Sequence, residues 1–395
     1  ILTNYAFEGP DNSIYFTAVL GVTSITVNVV IGTIGDFPDG GSINRVYTIT
    51  VPAGSYSATL RLHYEDAELN GNDETAMQLW RYNGTVWASS GKTGNNTTTN
   101  YVEQSGLNNI TNRWTCSETA GVVRWNGSVS TAWNNASNWT TVSGSPALPP
   151  GANDIVQIGT AAFTNQPDIT TAVSVKSISF GSAQTANLTI SAGGSLTTAG
   201  NINGSWSANA VHTINAGNQN LTVNGDLTLS NGTASRAVDL IIGTGTVTVA
   251  GSLTQSGGAN VSFSAAGVLN IKTDYLYSSG TFTAGTGLVQ YTGTGSQTVA
   301  AILYNNLTIN KATGIALLNS TSTVAGNLVV SSGELDVNAT MTVTGNTTIS
   351  SGAIITGDAV TLNIGGNWAN SGTFNAGTGT VNMNGTGSQN ISATT

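Results

Sequence analysis

Two stretches of this 395-residue chain carry one phrase: GTFTAGTGLVQYTGTGSQTV at Gly280–Val299 and GTFNAGTGTVNMNGTGSQNI at Gly372–Ile391. Neither copy contains an acid, a base or a histidine. Around them a shorter phrase recurs, as LTTAGNI with Gly200, TVNGDLTLSNG with Gly225 and TVAGSLTQSGG with Gly251. It returns as TVAGNLVVSSG with Gly326, TVTGNTTISSG with Gly345 and LNIGGNWANSG with Gly366. The spacing, about 19–28 residues, is the range of solenoids and arrays.

Each unit holds short runs such as NLTI, VTV or LVV, in which Val, Ile or Leu alternates with Thr, Ser or Asn. β-Branched pieces punctuated by glycine do not propagate a helix. Stacked as a parallel β-helix, they bury their aliphatic positions and hydrogen-bond from coil to coil at about 4.8 Å. Residues 155–395 then make roughly ten coils and a rod near 50 Å long by that spacing. A position inside such a stack meets its own equivalents above and below, which explains why a phrase can be reused. Like charges stacked at that distance repel, which explains why it is neutral.

Composition agrees with this division. Charged residues are 7% of the chain, against roughly 25% in an ordinary soluble domain. Residues 1–120 hold 11 of the 19 acids, 5 of the 10 bases and three of the eight tryptophans, and three further tryptophans precede residue 140. The net charge of −9 comes with no basic run, which speaks against nucleic acid. No apolar stretch reaches the roughly 18 residues of a membrane-spanning helix. The start at Ile1, without a charged leader, reads as a mature form or a fragment. Only SATT follows the second GSQNI, so the chain stops inside a repeat. The expectation is a natural continuation or an open coil whose edge invites another strand.

Residues 1–120 carry alternating runs, IYFTAVL, VYTITV, ATLRLHY and AMQLWRY, between Gly/Pro/Asn/Asp turn clusters. They predict an antiparallel β-sandwich, so the chain as a whole is all-β. Residues 40–118 include RLHYEDAELNGNDE at Arg61–Glu74, LWR at Leu79–Arg81 and Trp114-Thr115. On these motifs the segment resembles a module found repeatedly in very large secreted bacterial surface proteins, many of them type IX secretion substrates. The Gly-Thr-rich repeats are similar to those of long adhesins, gliding-motility adhesins among them. The resemblance covers under a third of the chain and implies a protein class, secreted and cell-surface, rather than a reaction.

Between the two lies a Trp-rich segment, residues 121–154, with Trp125, Trp133 and Trp139 followed by Pro146, Pro149 and Pro150. It resembles the lead-in to β-solenoids of bacterial adhesins. The tryptophans read as a cap on the first coil, with a carbohydrate-binding platform as the sharper alternative. Eighteen N-X-S/T sequons, among them those at Asn83, Asn187, Asn220 and Asn306, are compatible with glycosylation.

Catalytic patterns are scarce. No G-x-S-x-G, H-E-x-x-H or P-loop is present, and the single cysteine, Cys116, excludes a disulfide framework. In the repeats only Glu334 and Asp336 lie close together, and His212 stands alone. In His63–Glu74, residues Glu65, Asp66, Glu68, Asn70, Asn72 and Asp73 offer oxygens of the kind that bind Ca²⁺, or else form a solvated loop. No other cofactor is expected. The expected function is non-enzymatic: a structural component of an extracellular filament or long cell-surface adhesin. Its partners would be further copies, met through β-edges or coil ends, further domains of a longer chain, or surface glycans. A carbohydrate-binding or carbohydrate-cleaving β-helix and an ice-binding solenoid with Thr ladders are the alternatives.

Overall fold

The computed structural model describes residues 4–9, 11–38, 41–119, 121–144 and 146–393. Ile1 and the last two residues of the SATT tail thus lie outside the described part. The chain forms two compact units, Ile1–Arg124 with Trp139–Val156, and Trp125–Asn138 with Gln157–Thr395. The Trp-rich segment is therefore shared between them, Trp125 and Trp133 going with the second unit and Trp139 with the first.

The first unit contains two five-stranded antiparallel sheets. One runs in the order Asn4–Ala6, Ser13–Leu20, Ser55–His63, Tyr101–Leu107, Gly94–Asn96. The other runs Thr26–Ile31, Arg45–Thr50, Asn112–Ser117, Gln78–Tyr82, Trp87–Gly91. Alternation sets which face is buried: Arg45, Tyr47 and Ile49 point inward while Val46 and Thr48 are half-buried. Phe16, Leu60, Leu62 and Val102 from one sheet meet Tyr47, Ile49, Leu79, Trp114 and Cys116 from the other in a single core. Trp80 and Trp87 form a second cluster with Ile34 and Phe37. Two of the largest buried side chains satisfy their polar tips inside: Trp114 Nε1 donates to the Ile110 carbonyl at 2.7 Å and Tyr47 OH to the His63 carbonyl at 2.6 Å. Burial pushes the Cys116 thiol far up, so it is an inert packing group.

The second unit is a parallel β-solenoid of about 11 turns. One face is unbroken through all of them, from Ala172–Val175 to Ile391–Ala393. Its register stacks one inward column: Val173, Leu196, Leu221, Val247, Leu269, Val289, Leu307, Leu328, Thr347, Trp368, Ile391. The step along that column is 18 to 26 residues. Each buried aliphatic in it contributes about 1.5–3 kcal/mol relative to exposure. The strand just before each main-face strand belongs to a six-stranded sheet up to Thr281–Thr283 and to a separate five-stranded sheet from Leu303–Tyr304 onward. That face is thus interrupted, while the main face is continuous.

Corners are held by side-chain amides. Asn306 Oδ1 accepts from the Asn327 N–H at 3.0 Å. The pattern repeats from Asn327 to Asn346, Asn346 to Asn367 and Asn367 to Asn390, at 2.8–2.9 Å. The segment Trp125–Asn138 bonds to the first turn: Trp133 N–H donates to the Asp168 carbonyl at 3.0 Å and Asn165 N–H to the Gly127 carbonyl at 3.1 Å.

Candidate functional site

The acidic run of the first unit is dispersed by its own backbone. Asp66–Glu68 form a 3₁₀ turn in which Glu65 and Glu68 make a capping box. Successive side chains consequently leave in different directions. Glu68 is buried and takes both Nε and Nη2 of Arg45, at 2.7 and 2.9 Å. Glu65 meets His63 Nε2 at 3.1 Å, and Asp66 accepts from Asn100 at 2.6 Å. Asn70 donates to the Ser42 carbonyl at 2.8 Å. Asn72 donates to the Leu69 carbonyl at 2.8 Å and accepts from Glu118 N–H at 2.9 Å. Asp73 accepts from the Thr75 N–H and hydroxyl at 2.8 and 2.7 Å, bonds that hold its carboxyl below the usual range. Among the described residues no three His, Cys, Asp or Glu side chains converge as a cation site requires.

Trp125, Trp133 and Trp139 are all buried, at 0%, 2% and 4% exposure. The rings of Trp125 and Trp133 stack at 6.3 Å, and Trp125 Nε1 donates to the Asn165 carbonyl at 2.7 Å. Their faces are packing surface and offer no exposed platform for a sugar ring. Trp125 and Trp133 belong to the segment bonded to the first turn.

Of the singled-out sequon asparagines, Asn83, Asn187 and Asn220 are exposed and Asn306 is half-buried. Asn83 Oδ1 closes its own turn by accepting from the N–H groups of Thr85 and Val86. The amide oxygens of Asn220 and Asn306 are engaged by Thr246 and Asn327 of the next turn.

In the solenoid, Glu334 and Asp336 share an outward face, yet each has its own partner: Glu334 accepts from Thr356 at 2.7 Å and Asp336 from Asn338 at 3.2 Å. His212 is buried against Phe180. Its Nδ1 accepts from the Ala186 N–H at 3.1 Å and burial pushes its pKa down, so it is neutral. The outward position of the main face reads Ser174, Thr197, Thr222, Thr248, Asn270, Gln290, Thr308, Val329, Thr348, Ala369. Five of these ten positions are threonine, so the face carries no regular T-x-T array.

Two sheet edges with exposed apolar side chains bear on association. In the first unit, Thr26–Ile31 lies at the edge of its sheet, uncharged, with Val30 and Ile31 52% and 64% exposed. Beside it opens a cleft of about 670 Å³ lined by Tyr5, Phe7, Phe16, Ile25 and Val27. In the second unit the last described turn pairs with the one before it through Trp368–Asn370 and Ile391–Ala393. Its Phe374, Val381 and Met383 are half-buried and Ile391 is 68% exposed, where equivalent positions lower in the stack are closed.

The feature that sequence reading missed is polar and deep. Lys311, 1% exposed, donates from Nζ to the carbonyls of Gly293 and Gly295 at 2.8 Å each and to Gln297 Oε1 at 2.6 Å. The repetition of GTGSQ was its only signal. Among the described residues no helix is long and apolar enough to cross a membrane. No protein-family profile, curated protein or solved structure matches the chain.

Proposed function

We propose that this protein is a non-enzymatic structural component of an extracellular filament or long cell-surface adhesin, of the repetitive type IX secretion kind that its N-terminal motifs resemble. The observation that carries the reading is the single hydrogen-bonded face running through all eleven turns over an aliphatic column. Such a stack supplies stiffness along one direction, and its neutral outer positions supply hydration without strong fields. Glu334 and Asp336, the two solenoid carboxylates close in sequence, each bond a different neighbour, which suits a scaffold better than acid–base chemistry. The open edge at Thr26–Ile31 and the coil ends are the surfaces through which copies or further modules associate.

Electron microscopy of the purified native protein tests this. Extended, end-to-end particles are expected. Isolated compact monomers that bind or cut a glycan would overturn it.

A further inference from the structure

The solenoid face that changes sheets does so across a groove. Below the change, an eight-stranded sheet ends at Tyr275–Tyr277 and the six-stranded sheet ends at Thr281–Thr283. One turn higher the five-stranded sheet begins at Leu303–Tyr304. The groove between them measures about 470 Å³. Tyr277, Thr281 and Phe282 line it from the lower turn, and Leu303, Thr321 and Thr323 from the two turns above. None of the lining residues is Asp, Glu, Lys, Arg or His.

Strand alternation fixes which backbone groups face this groove. Thr281 N–H donates to the Ala259 carbonyl on the turn below at 3.2 Å, and the Thr281 carbonyl accepts from Gln255 Nε2 at 2.8 Å. Thr281 thus spends its groups downward, and alternation turns the N–H and C=O of Phe282 upward. On the far side the Tyr304 carbonyl accepts from Ala325 N–H on the turn above at 2.9 Å, so Leu303 turns its own pair downward. Among the described residues no strand pairs with Thr281–Thr283 from above or with Leu303–Tyr304 from below. Each rim therefore offers one donor and one acceptor where strand pairing would otherwise use them. The lower rim is held in place by its own packing. Tyr277 OH donates to the Gly280 carbonyl at 3.0 Å, and the Phe282 ring lies 6.2 Å from that of Tyr275 and 6.3 Å from that of Tyr304. Gly280 has a φ of 94°, and a Cβ there would come within 2.1 Å of the Ala259 carbonyl oxygen.

We propose that this groove is a lateral docking site for an extended, uncharged peptide segment, which enters as an extra strand between Phe282 and Leu303. Main chain supplies a donor and an acceptor to each rim at once, the mode by which strands add to open edges. A neutral saccharide also suits an uncharged lining, but two opposed strand edges favour main chain. The absence of charge selects a segment without Lys, Arg, Asp or Glu, because an ionised side chain would be desolvated there unpaired. Leu303, 56% exposed, gives the incoming side chains an apolar contact. The rims are already formed, so little ordering cost falls on this side of the complex. The groove lies between turns rather than at a coil end, so it is independent of the association proposed above.

The chain supplies its own probe. Residues 258–265, GANVSFSA, contain the strand Asn260–Phe263 that pairs with Thr281–Thr283 from below, and they carry no charge. A synthetic copy, blocked at both ends and fluorescently labelled, is titrated with the full chain by anisotropy. Saturable binding is expected. N-methylation of the peptide at Val261 and Phe263 removes strand pairing without touching the protein, and should weaken binding about tenfold or more. Leu303→Asp, at an exposed position, should cause a similar loss with an unchanged circular dichroism spectrum. Equal binding of the methylated and unmethylated peptides overturns strand addition. Equal binding by the parent and Leu303→Asp chains overturns the groove as its place. Absence of saturable binding overturns the proposal outright, and cellohexaose binding in the peptide's stead would give the groove to a glycan.

Discussion

The two units solve one problem, keeping buried groups partnered, by opposite means. In the first, residues far apart in sequence meet once, so a charge can face its complement. Arg45 pairs with Glu68 and Glu8, Arg61 with Glu103, and Arg113 with Asp36. These ion pairs, with His63 and Glu65 beside them, lie within the first unit. In the solenoid each residue's nearest neighbours are its own equivalents, so a charge would meet its like. Neutral amides do the work instead: the Asn306–Asn327–Asn346–Asn367–Asn390 series at a corner, and Gln255, Gln297 and Gln389 inside or at the stack. Repetition in space restricts chemistry more strongly than burial does.

The contrast can be broken most forcefully in the first unit. Glu68→Ala leaves Arg45 buried without its bidentate partner and should cost about 3–5 kcal/mol. Urea unfolding should show that loss in the transition of the first unit, with the solenoid transition unmoved. Next, Leu269→Ala opens a cavity in the aliphatic column, and a loss of about 3 kcal/mol is expected in the solenoid transition alone. If instead both transitions shift together in either variant, the units do not unfold independently.

A smaller effect sharpens the argument about charge. Thr197, Thr222 and Thr248 sit in register on the outer side of three successive turns. Thr222→Lys alone should stay within about 0.5 kcal/mol of the parent. The triple lysine variant should lose about 1 kcal/mol, recovered in high salt. A triple variant as stable as the single one would remove repulsion as the reason for neutrality. Acidity gives the mildest perturbation. Because burial lowers the His212 pKa, the unfolded chain takes up its proton first as pH falls. Solenoid stability should therefore decline as pH drops below about 6.5 towards the folded-state value. Denaturation at pH 7.5 and 5.5 should show that decline in the parent and less of it in His212→Phe.

Much of this architecture was legible. The recurrence of TVxG phrases gave the solenoid, its aliphatic interior and a coil number close to that observed, because stacking imposes one pattern on every turn. Alternation in RVYTIT and its companions gave the antiparallel sheets. Less legible was whether a face would run unbroken. That depends on corner lengths, which vary from turn to turn, and one face separates into two sheets between Thr283 and Leu303. The grouping of HYEDAELNGNDE along the chain suggested a cation loop, but a 3₁₀ turn spreads those side chains among unrelated partners. Lys311 looked like one of ten ordinary bases. Its burial is set by the turn beneath it, and nothing within a few residues of it announces that.

The asparagine series has one more consequence. Each interior member donates its N–H to the turn below and accepts at Oδ1 from the turn above, so units of about twenty residues beginning at such an asparagine meet through the same pair of atoms. Duplicating or deleting one unit leaves the asparagine bonds of the remaining junctions unchanged, while the inward column, Leu328 then Thr347 then Trp368, has to repack. Gene length can then drift by whole turns, and reach becomes a trait that evolution adjusts by copying rather than by redesign.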